Sequence, residues 1–546
     1  MDDIVADQIG YYRARAGEYD EWWFRMNRYD QGVERNAAWF REVAEAEEVL
    51  AAAGPRGNAL EIACGTGLWT RHLAPRVERL LALDAAEESM AIARARVDAP
   101  NVTYLEADIF SWRPSERYDF IFFGFWISHV PRSQWPGFWK MLADALAPGG
   151  SIFFIDDRRH PRGGISTGDR WQSGDDERET RIMNDGRHYT VVKNFFVPHD
   201  LEAELAALGW RGWVRETQEF FIYGSFTRVS PDPQVLAELA PLLETIGESE
   251  PPAAGDVENS RLYARRVFDH VTERWTPSEG VGVERHELVT DDGATLALDW
   301  YHPLAAEHPG SAALYLHGGG MILGLEHVGD LFDLMVRNYV ATSGVPMLVV
   351  DYRIAPEHPF PTPVEDCYAA LNWLAEHAQA LGVDPNRIGV MGDSAGGNLA
   401  AAVCLLARDR GGPRVAQQLL IHPMLDDRTT TPDPLLLPFV TWTYDDNITG
   451  WGALLGNLAG TDEVSQYAAP ARATDLTGLP DTYIDVGDLD IFRDEDVEYA
   501  RRLSDAGVPT ELHLYPGCMH AFDVLARKAD VSQRAIAARV RRLCAL

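Results

Sequence analysis

Lysine is nearly missing from this chain of 546 residues: only Lys140, Lys193 and Lys528 occur, and Lys and Arg together number 49 against 83 Asp and Glu. The resulting formal charge of -34 repels nucleic-acid phosphate, and no Lys/Arg-rich run supplies a local counter-patch, so a DNA or RNA partner is not expected. Cysteine is scarce as well. Cys64, Cys367, Cys404, Cys518 and Cys544 are odd in number, scattered and free of any Cys-x-x-Cys pair, which indicates neither a disulfide framework nor a zinc site, and no metal is expected. No stretch reaches the ~18 consecutive apolar residues of a membrane helix, and Met1-Asp2-Asp3-Ile4 opens the chain without the apolar core of a secretion signal. A cytoplasmic protein without a membrane partner is the expectation.

What is present is a double rhythm of strands and helices. The length exceeds what one hydrophobic core supports, so two domains are expected. Ala59-Ala63, Leu80-Leu83, Val102-Leu105, Phe120-Phe123 and Ser151-Ile155 read as strands of a parallel α/β sheet; Tyr189-Phe196 and the aromatic, β-branched Trp213-Val229 extend it around a helix at Leu201-Leu208. Turn chemistry at Ser230-Pro231-Asp232-Pro233 ends a first domain spanning 1–229, and a helical run Gln234-Ile246 leads into the Pro/Gly/Glu-rich Gly247-Asp256. The rhythm restarts in 230–546 with a hairpin around Asp291-Asp292-Gly293, followed by strands at Ala312-Leu316, Val345-Val350, Arg387-Gly392, Gln418-His422, Thr482-Val486 and Glu511-Tyr515. Arg428-Gly456 is too long for a simple connection. No internal repeat is visible.

The first domain carries Glu61-Ile62-Ala63-Cys64-Gly65-Thr66-Gly67 after a strand and before a helix, where glycines let a backbone approach a ligand and helix N–H groups meet it. Asp84 closes the next strand, where a carboxylate can accept two ribose hydroxyls, and Asp108 with Ile109 closes the third, within reach of an adenine amino group. These residues resemble class I S-adenosylmethionine-dependent methyltransferases over roughly residues 8–229. The resemblance implies a Rossmann-like sheet, S-adenosyl-L-methionine as cofactor, and contacts from Tyr12, Glu61, Gly65, Gly67, Asp84, Asp108 and Ile109. A dinucleotide site fails at Thr70, where the third glycine of Gly-x-Gly-x-x-Gly is missing, and Glu61 suits an ammonium group. Tyr11-Tyr12 and Tyr19-x-x-Trp22-Trp23-Phe24 read either as a lid or as helix packing. His129, after the fourth strand, lies on the methyl-acceptor side, either as a base for an acceptor hydroxyl or as a residue holding its own loop. Asp156-Asp157-Arg158-Arg159-His160, after the fifth, faces the acceptor or solvent.

In the second domain, Gly392-Asp393-Ser394-Ala395-Gly396 follows an apolar strand and precedes a helix, the strand-turn-helix elbow of a serine nucleophile. Asp490 and His520 follow later strands, giving the order Ser, Asp, His. Gly318, Gly319 and Gly320 after His317, with the Ala395 N–H, supply an oxyanion hole, and His317 braces that loop. With Asp351-Tyr-Arg-Ile-Ala-Pro-Glu-His-Pro-Phe-Pro361 and His520-Ala-Phe522, these strings resemble the hormone-sensitive-lipase family of α/β-hydrolases over about residues 231–546. The family's Asp-Pro-Leu-x-Asp-Glu string reads Asp490-Ile-Phe-Arg-Asp494-Glu495 here, which leaves Asp490, favoured by position, against Asp494, with Asp488 third. The resemblance implies a helical cap from 234–274 and 428–456, in which Phe439, Trp442, Tyr444 and Trp451 either wall an acyl pocket or pack the cap.

The expectation is therefore a two-domain α/β enzyme, a methyltransferase sheet followed by a capped α/β-hydrolase, acting on small molecules by O- or carboxyl-methylation and by ester hydrolysis in metabolite tailoring. One catalytic half beside a binding or scaffold module is the alternative, as is amide hydrolysis or acyl transfer by the same triad. The sequence does not indicate an oligomeric state.

Overall fold

A computed structural model describes residues 3–158, 177–246, 251–304 and 310–546. The chain forms two compact units, Met1–Val229 and Ser230–Leu546.

In the first unit, helices α1 (Asp3–Arg15), α2 (Tyr19–Trp23) and α3 (Val33–Ala52) precede β1 (Asn58–Ile62). Then follow α4 (Thr70–Leu73), β2 (Arg79–Asp84), α5 (Glu87–Arg96), β3 (Val102–Glu106), β4 (Tyr118–Gly124), α6 (Trp135–Ala145) and β5 (Leu146–Asp157). A hairpin of β6 (Arg178–Ile182) and β7 (His188–Val192), α7 (Pro198–Ala207), β8 (Trp210–Glu216) and β9 (Phe221–Arg228) complete it. Among the described residues the main sheet has the order β3-β2-β1-β4-β5-β9-β8, parallel from β3 to β5, with β9 antiparallel to β5 and β8 antiparallel to β9. Strands buried on both faces are apolar throughout, and the pleat sorts their side chains. Leu60, Ile62, Ile121, Phe123, Ile152 and Phe154 pack on α6 and α7. Ala59, Phe120, Phe122, Phe153 and Ile155 pack with Trp22, Trp23 and Trp39 on the other face.

The stretch read as Tyr189-Phe196 departs from expectation. Only its first part is a strand, paired with β6 in a separate two-stranded sheet that packs Val191 and Met183 against Tyr11 of α1. The chain leaves β7 at Lys193 because that buried ammonium is tied to Asp156 and Asp157 at the end of β5.

The second unit opens with α8 (Pro233–Ile246), α9 (Val257–Thr272) and the hairpin β10 (Val281–Val289) and β11 (Thr295–Pro303). It continues through β12 (Ala312–Leu316), α10 (Leu325–Ser343), β13 (Met347–Val350), α11 (Thr362–His377), β14 (Ile388–Asp393), α12 (Ala395–Arg410) and β15 (Gln417–Ile421). α13 (Tyr444–Leu455), β16 (Asp481–Gly487), α14 (Arg493–Asp505), β17 (Thr510–Tyr515), α15 (Phe522–Leu525) and α16 (Asp530–Cys544) follow. The sheet runs β10-β11-β13-β12-β14-β15-β16-β17, parallel beyond β13 and antiparallel in its first two pairings. Residues 247–250, part of the expected Pro/Gly/Glu-rich turn, lie outside the described residues.

Two features position the site. Every residue of α12 from Ala395 to Ala407 is buried, which its Gly- and Ala-rich first turns permit because small side chains let sheet and neighbouring helices close on it from all sides. Arg539 of α16 is fully buried and bridges strand and loop: its Nε and Nη2 donate to Asp485 of β16 (2.7 and 3.0 Å) and its Nη1 donates to Asp523 of α15, three residues after His520. Replacing Arg539 by Ala leaves two buried carboxylates without their cation. We expect a loss of about 3–5 kcal/mol in urea unfolding of the second unit, against a change within the error for Arg541→Ala at the surface of the same helix.

Candidate active sites

Ser394 sits between β14 and α12 with φ 54° and ψ −119°, a left-handed backbone that a side-chain-bearing residue adopts only at a cost. Its own N–H donates to Ile421 O (2.8 Å) and its carbonyl accepts from Met424 N (3.0 Å), so the end of β15 and the segment after it pin the elbow. The glycines two positions away follow from crowding: a Cβ on Gly396 would lie 2.0 Å from the Leu316 carbonyl oxygen, and one on Gly392 would lie 2.1 Å from that of Gly396.

The structure brings the serine, histidine and one of the three candidate acids together. Ser394 Oγ–H donates to His520 Nε2 at 3.0 Å, and His520 Nδ1–H donates to Asp490 Oδ2 at 2.7 Å. All three are buried, and Asp490 Oδ1 accepts from the Phe492 N–H at 3.0 Å, which fixes the carboxylate. Asp494 is instead a highly exposed partner of Arg493, and Asp488 accepts the Gly517 N–H at 2.6 Å, shaping the loop before His520. Gly318, Gly319 and Gly320 line the pocket with Ser394, and Ala395 starts α12 with one of the N–H groups that a helix leaves unpaired at its first turn. His317 lies flat on Tyr352 (4.2 Å, 11°) and its Nδ1–H donates to Gly318 O (2.8 Å). Burial pushes its pKa down to about 4, so it braces the glycine loop as a neutral ring.

The cap is divided. Ser260, Tyr263, Ala264, Val267 and Phe268 of α9 line the pocket, whereas α8 does not. From 428–456, Trp442 lines it and lies so close to the glycine loop that a Cβ on Gly320 would meet its ring at 2.2 Å. Thr441 Oγ1 donates to the His520 carbonyl at 2.6 Å. Tyr444 and Trp451 are buried in the core and Phe439 is half-buried off the pocket, so Trp442 alone of the four aromatic residues is a wall. Sequence reasoning missed His422. It is buried at the end of β15, lines the pocket and meets the His520 ring edge-on at 4.6 Å. Its place beyond the carboxyl end of a parallel strand, as for Ser394 and Asp490, was the available signal.

In the first unit a second pocket lies at the carboxyl ends of β1 to β4. It is lined by Tyr12, Gly65, Asp84, Asp108 and Ile109 of the expected set, together with Tyr19, Phe125 and Trp126. Asp84 accepts from Gly65 N and Ala86 N (2.8 Å each), which ties the glycine turn to β2, and burial raises its pKa. Asp108 accepts the Phe110 N–H at 3.1 Å. Carboxylates at two adjacent strand ends, separated by Leu83, Ala85 and Ile109, fit a nucleoside: one acid for vicinal hydroxyls, an apolar slot for a base and a second acid for its amino group. Glu61 and Gly67 are not wall residues. Glu61 is buried beneath the turn, accepts from Thr70 Oγ1 at 2.7 Å and is pushed up to about 8 by burial, and Gly67 packs against Ala93 of α5.

His129 is also off the wall, behind Tyr12. Its Nδ1–H donates to Val192 O (2.5 Å), which leaves Nε2 as acceptor for the Tyr12 hydroxyl at 2.9 Å. Burial, then the Lys193 and Arg181 charges, hold its pKa well below the usual histidine range. Asp156 and Asp157 pair with Lys193, and Arg158 donates to the Thr217 and Gln218 carbonyls and pairs with Glu216, so these three face structure and not an acceptor. Arg159 and His160 lie outside the described residues. Of the N-terminal aromatic residues, Tyr12 and Tyr19 line the pocket, while Tyr11, Trp22 and Trp23 are core.

The carboxylesterase NlhH of Mycobacterium tuberculosis is 34% identical over 325 residues, 56% of this chain and 97% of that protein. The chain belongs to the alpha/beta hydrolase family. Residues 313–524 match the family described as alpha/beta hydrolase fold, and residues 59–150 match the methyltransferase domain family. The ethyl acetate hydrolase of Pseudomonas putida is 32% identical over 43% of this chain and 74% of its own length. Among solved structures, a bacterial heroin esterase superposes with a TM-score of 0.51 at 37% identity, covering 58% of this chain and 97% of that one. This hydrolase is thus an enzyme with a methyltransferase domain in the same chain, and among its described residues no helix is long and apolar enough to cross a membrane.

The triad geometry separates two of the three candidate acids experimentally. Asp490→Asn is expected to lower kcat on a p-nitrophenyl ester by roughly 10⁴-fold, because the asparagine stabilises the wrong imidazole tautomer. Asp494→Asn is expected to leave kcat within a factor of two, since its side chain is 80% exposed and pairs with Arg493 at the surface.

Proposed function

We propose that the enzyme is bifunctional: the second unit hydrolyses a small carboxylic ester through an acyl-serine, and the first transfers a methyl group from S-adenosyl-L-methionine to an oxygen of a small molecule. The observation that carries the first half is the continuous hydrogen-bonded row Ser394–His520–Asp490 at the floor of an apolar pocket. His520 takes the hydroxyl proton as Ser394 Oγ attacks the ester carbonyl, and Asp490 stabilises the imidazolium that forms. The oxyanion meets the N–H groups of the Gly318–Gly320 loop and Ala395, each worth about 3 kcal/mol of barrier in such a site. His520 then returns the proton to the departing alcohol and activates the water that frees the acid.

S-adenosyl-L-methionine, when bound, supplies an electrophilic methyl. Asp84 holds the ribose hydroxyls, Asp108 and Ile109 hold the adenine, and the Gly65 turn lets the backbone approach. Tyr12, Tyr19, Phe125 and Trp126 exclude water around the acceptor, so that proximity supplies most of the rate. The neutral His129 accepts the Tyr12 hydroxyl proton in a hydrogen bond, which leaves the Tyr12 oxygen free to orient an acceptor hydroxyl. A cytoplasmic role in tailoring a small metabolite agrees with the acidic charge and the two small-molecule-sized pockets.

A fluorophosphonate probe is expected to label the wild type and not Ser394→Ala, and calorimetry is expected to show S-adenosyl-L-methionine binding to the wild type and not to Gly65→Arg. Labelling that survives Ser394→Ala rejects the hydrolase half, and wild-type protein that takes up no cofactor rejects the methyltransferase half.

A further inference from the structure

Beyond the catalytic pocket of the second unit lies a groove that neither half of the reaction uses. Along α9 the pocket wall runs through Val267 and Phe268, and the groove wall continues one turn further with Val271 and, past the helix end at Thr272, with Arg274 and Trp275. Along α10 the same step leads from Leu331 and Met335 to Leu334 and Asn338. Val524 and Leu525 of α15 line both spaces, so a chain passing over Leu525 leaves one and enters the other. From Phe268 to Val271 the rise along the helix is about 4.5 Å.

The far end of this path is cationic in a strongly acidic protein. Arg274, Arg527 and Lys528, the last being one of three lysines in the chain, line the groove. None of the three forms an ion pair among the described residues: Arg274 Nη2 meets His270 Nε2 at 2.6 Å, and the half-buried Arg527 lies over the Trp275 ring at 4.1 Å. Burial lowers the pKa of Arg527. Glu238, the one carboxylate on the wall among the described residues, accepts the backbone N–H of Lys528 at 3.1 Å. A wall that is apolar beside the nucleophile and carries three cations against one acid at its end matches a ligand with the reverse pattern.

We propose that the groove binds the distal carboxylate of the ester's acyl part, making half-esters of medium-length dicarboxylic acids the substrate class of Ser394. This rests on the esterase reading. The acyl chain occupies the apolar pocket, crosses Leu525 and presents its terminal carboxylate to Arg527 and Lys528, with Arg274 at the rim. The reaction is the hydrolysis already described, and the distal carboxylate takes no part in bond making.

The test compares mono-p-nitrophenyl sebacate with p-nitrophenyl decanoate, equal in length and different in terminal charge, using p-nitrophenyl butyrate as a ligand too short to reach the groove. The wild type is expected to favour the sebacate by about fivefold or more in kcat/KM, with the preference falling as sodium chloride is raised. Arg527→Gln combined with Lys528→Gln is expected to abolish the preference by raising KM for the sebacate while leaving butyrate hydrolysis unchanged. Because Arg527 packs on Trp275, the surface pair Arg274→Gln and Lys528→Gln provides a second variant and is expected to halve the preference at least. A wild type without preference for the sebacate, or a preference that both variants retain, overturns the proposal. Butyrate hydrolysis separates the outcomes: if the wild type fails to cleave it, the esterase reading falls, and if it cleaves butyrate while showing no charge preference, only the groove assignment falls.

Discussion

The left-handed backbone of Ser394 is the constraint on which the hydrolase site depends. A serine at φ 54° stores strain of order 1–3 kcal/mol and persists only where surrounding structure over-determines it. Here β14 pairs with β12 and β15 on either side, α12 is buried along its first thirteen residues, and the nucleophile's N–H and carbonyl are bonded to the end of β15 and to the segment after it. The same tightness forces glycine at positions 392 and 396, since backbone carbonyls already occupy the volumes their side chains would need. Once the elbow is set, the carboxyl ends of β16 and β17 bring Asp490 and His520 to it.

Buried charge is treated differently at the two ends of the second unit. At the floor, Arg539 is matched by Asp485 and Asp523, so the loop carrying His520 rests on a satisfied network. At the groove, three cations lack carboxylate partners among the described residues and remain at or near the surface, where water makes that tolerable. The first unit follows the first pattern. Lys193 answers Asp156 and Asp157, and the Asp84 carboxylate is spent partly on the Gly65 and Ala86 N–H groups, which clamps it to its own glycine turn.

Much of this was legible in the linear chain because strand-end motifs carry their geometry with them. Gly392 to Gly396 after an apolar strand implies the elbow, and Gly65 followed by Asp84 and Asp108 implies a pocket along adjacent parallel strands. Identity at long range was less legible. Asp488, Asp490 and Asp494 are near neighbours in sequence, and only the direction of the loop after β16 separates a triad acid from a loop brace and an exposed ion pair. Glu61 belongs to the sequence motif yet turns beneath it towards Thr70, because the residue faces the packed side of β1. His422 carries only its place at a strand end and Lys193 no local signature, since their partners are 98 and 36 or more positions away in the chain and meet them only through sheet order.

The amino-acid sequence by itself determined two α/β sheets, two glycine turns and the order of nucleophile, acid and base, because strand periodicity, turn chemistry and helix starts are local properties. Tertiary structure alone decided which carboxylate serves His520, that Trp442 and not Tyr444 or Trp451 walls the pocket, that His129 reaches the first unit's pocket only through Tyr12, and that Arg274, Arg527 and Lys528 converge on one groove. Those outcomes depend on which faces of distant elements are buried against each other, a matter of packing across the whole chain that no short stretch of it encodes.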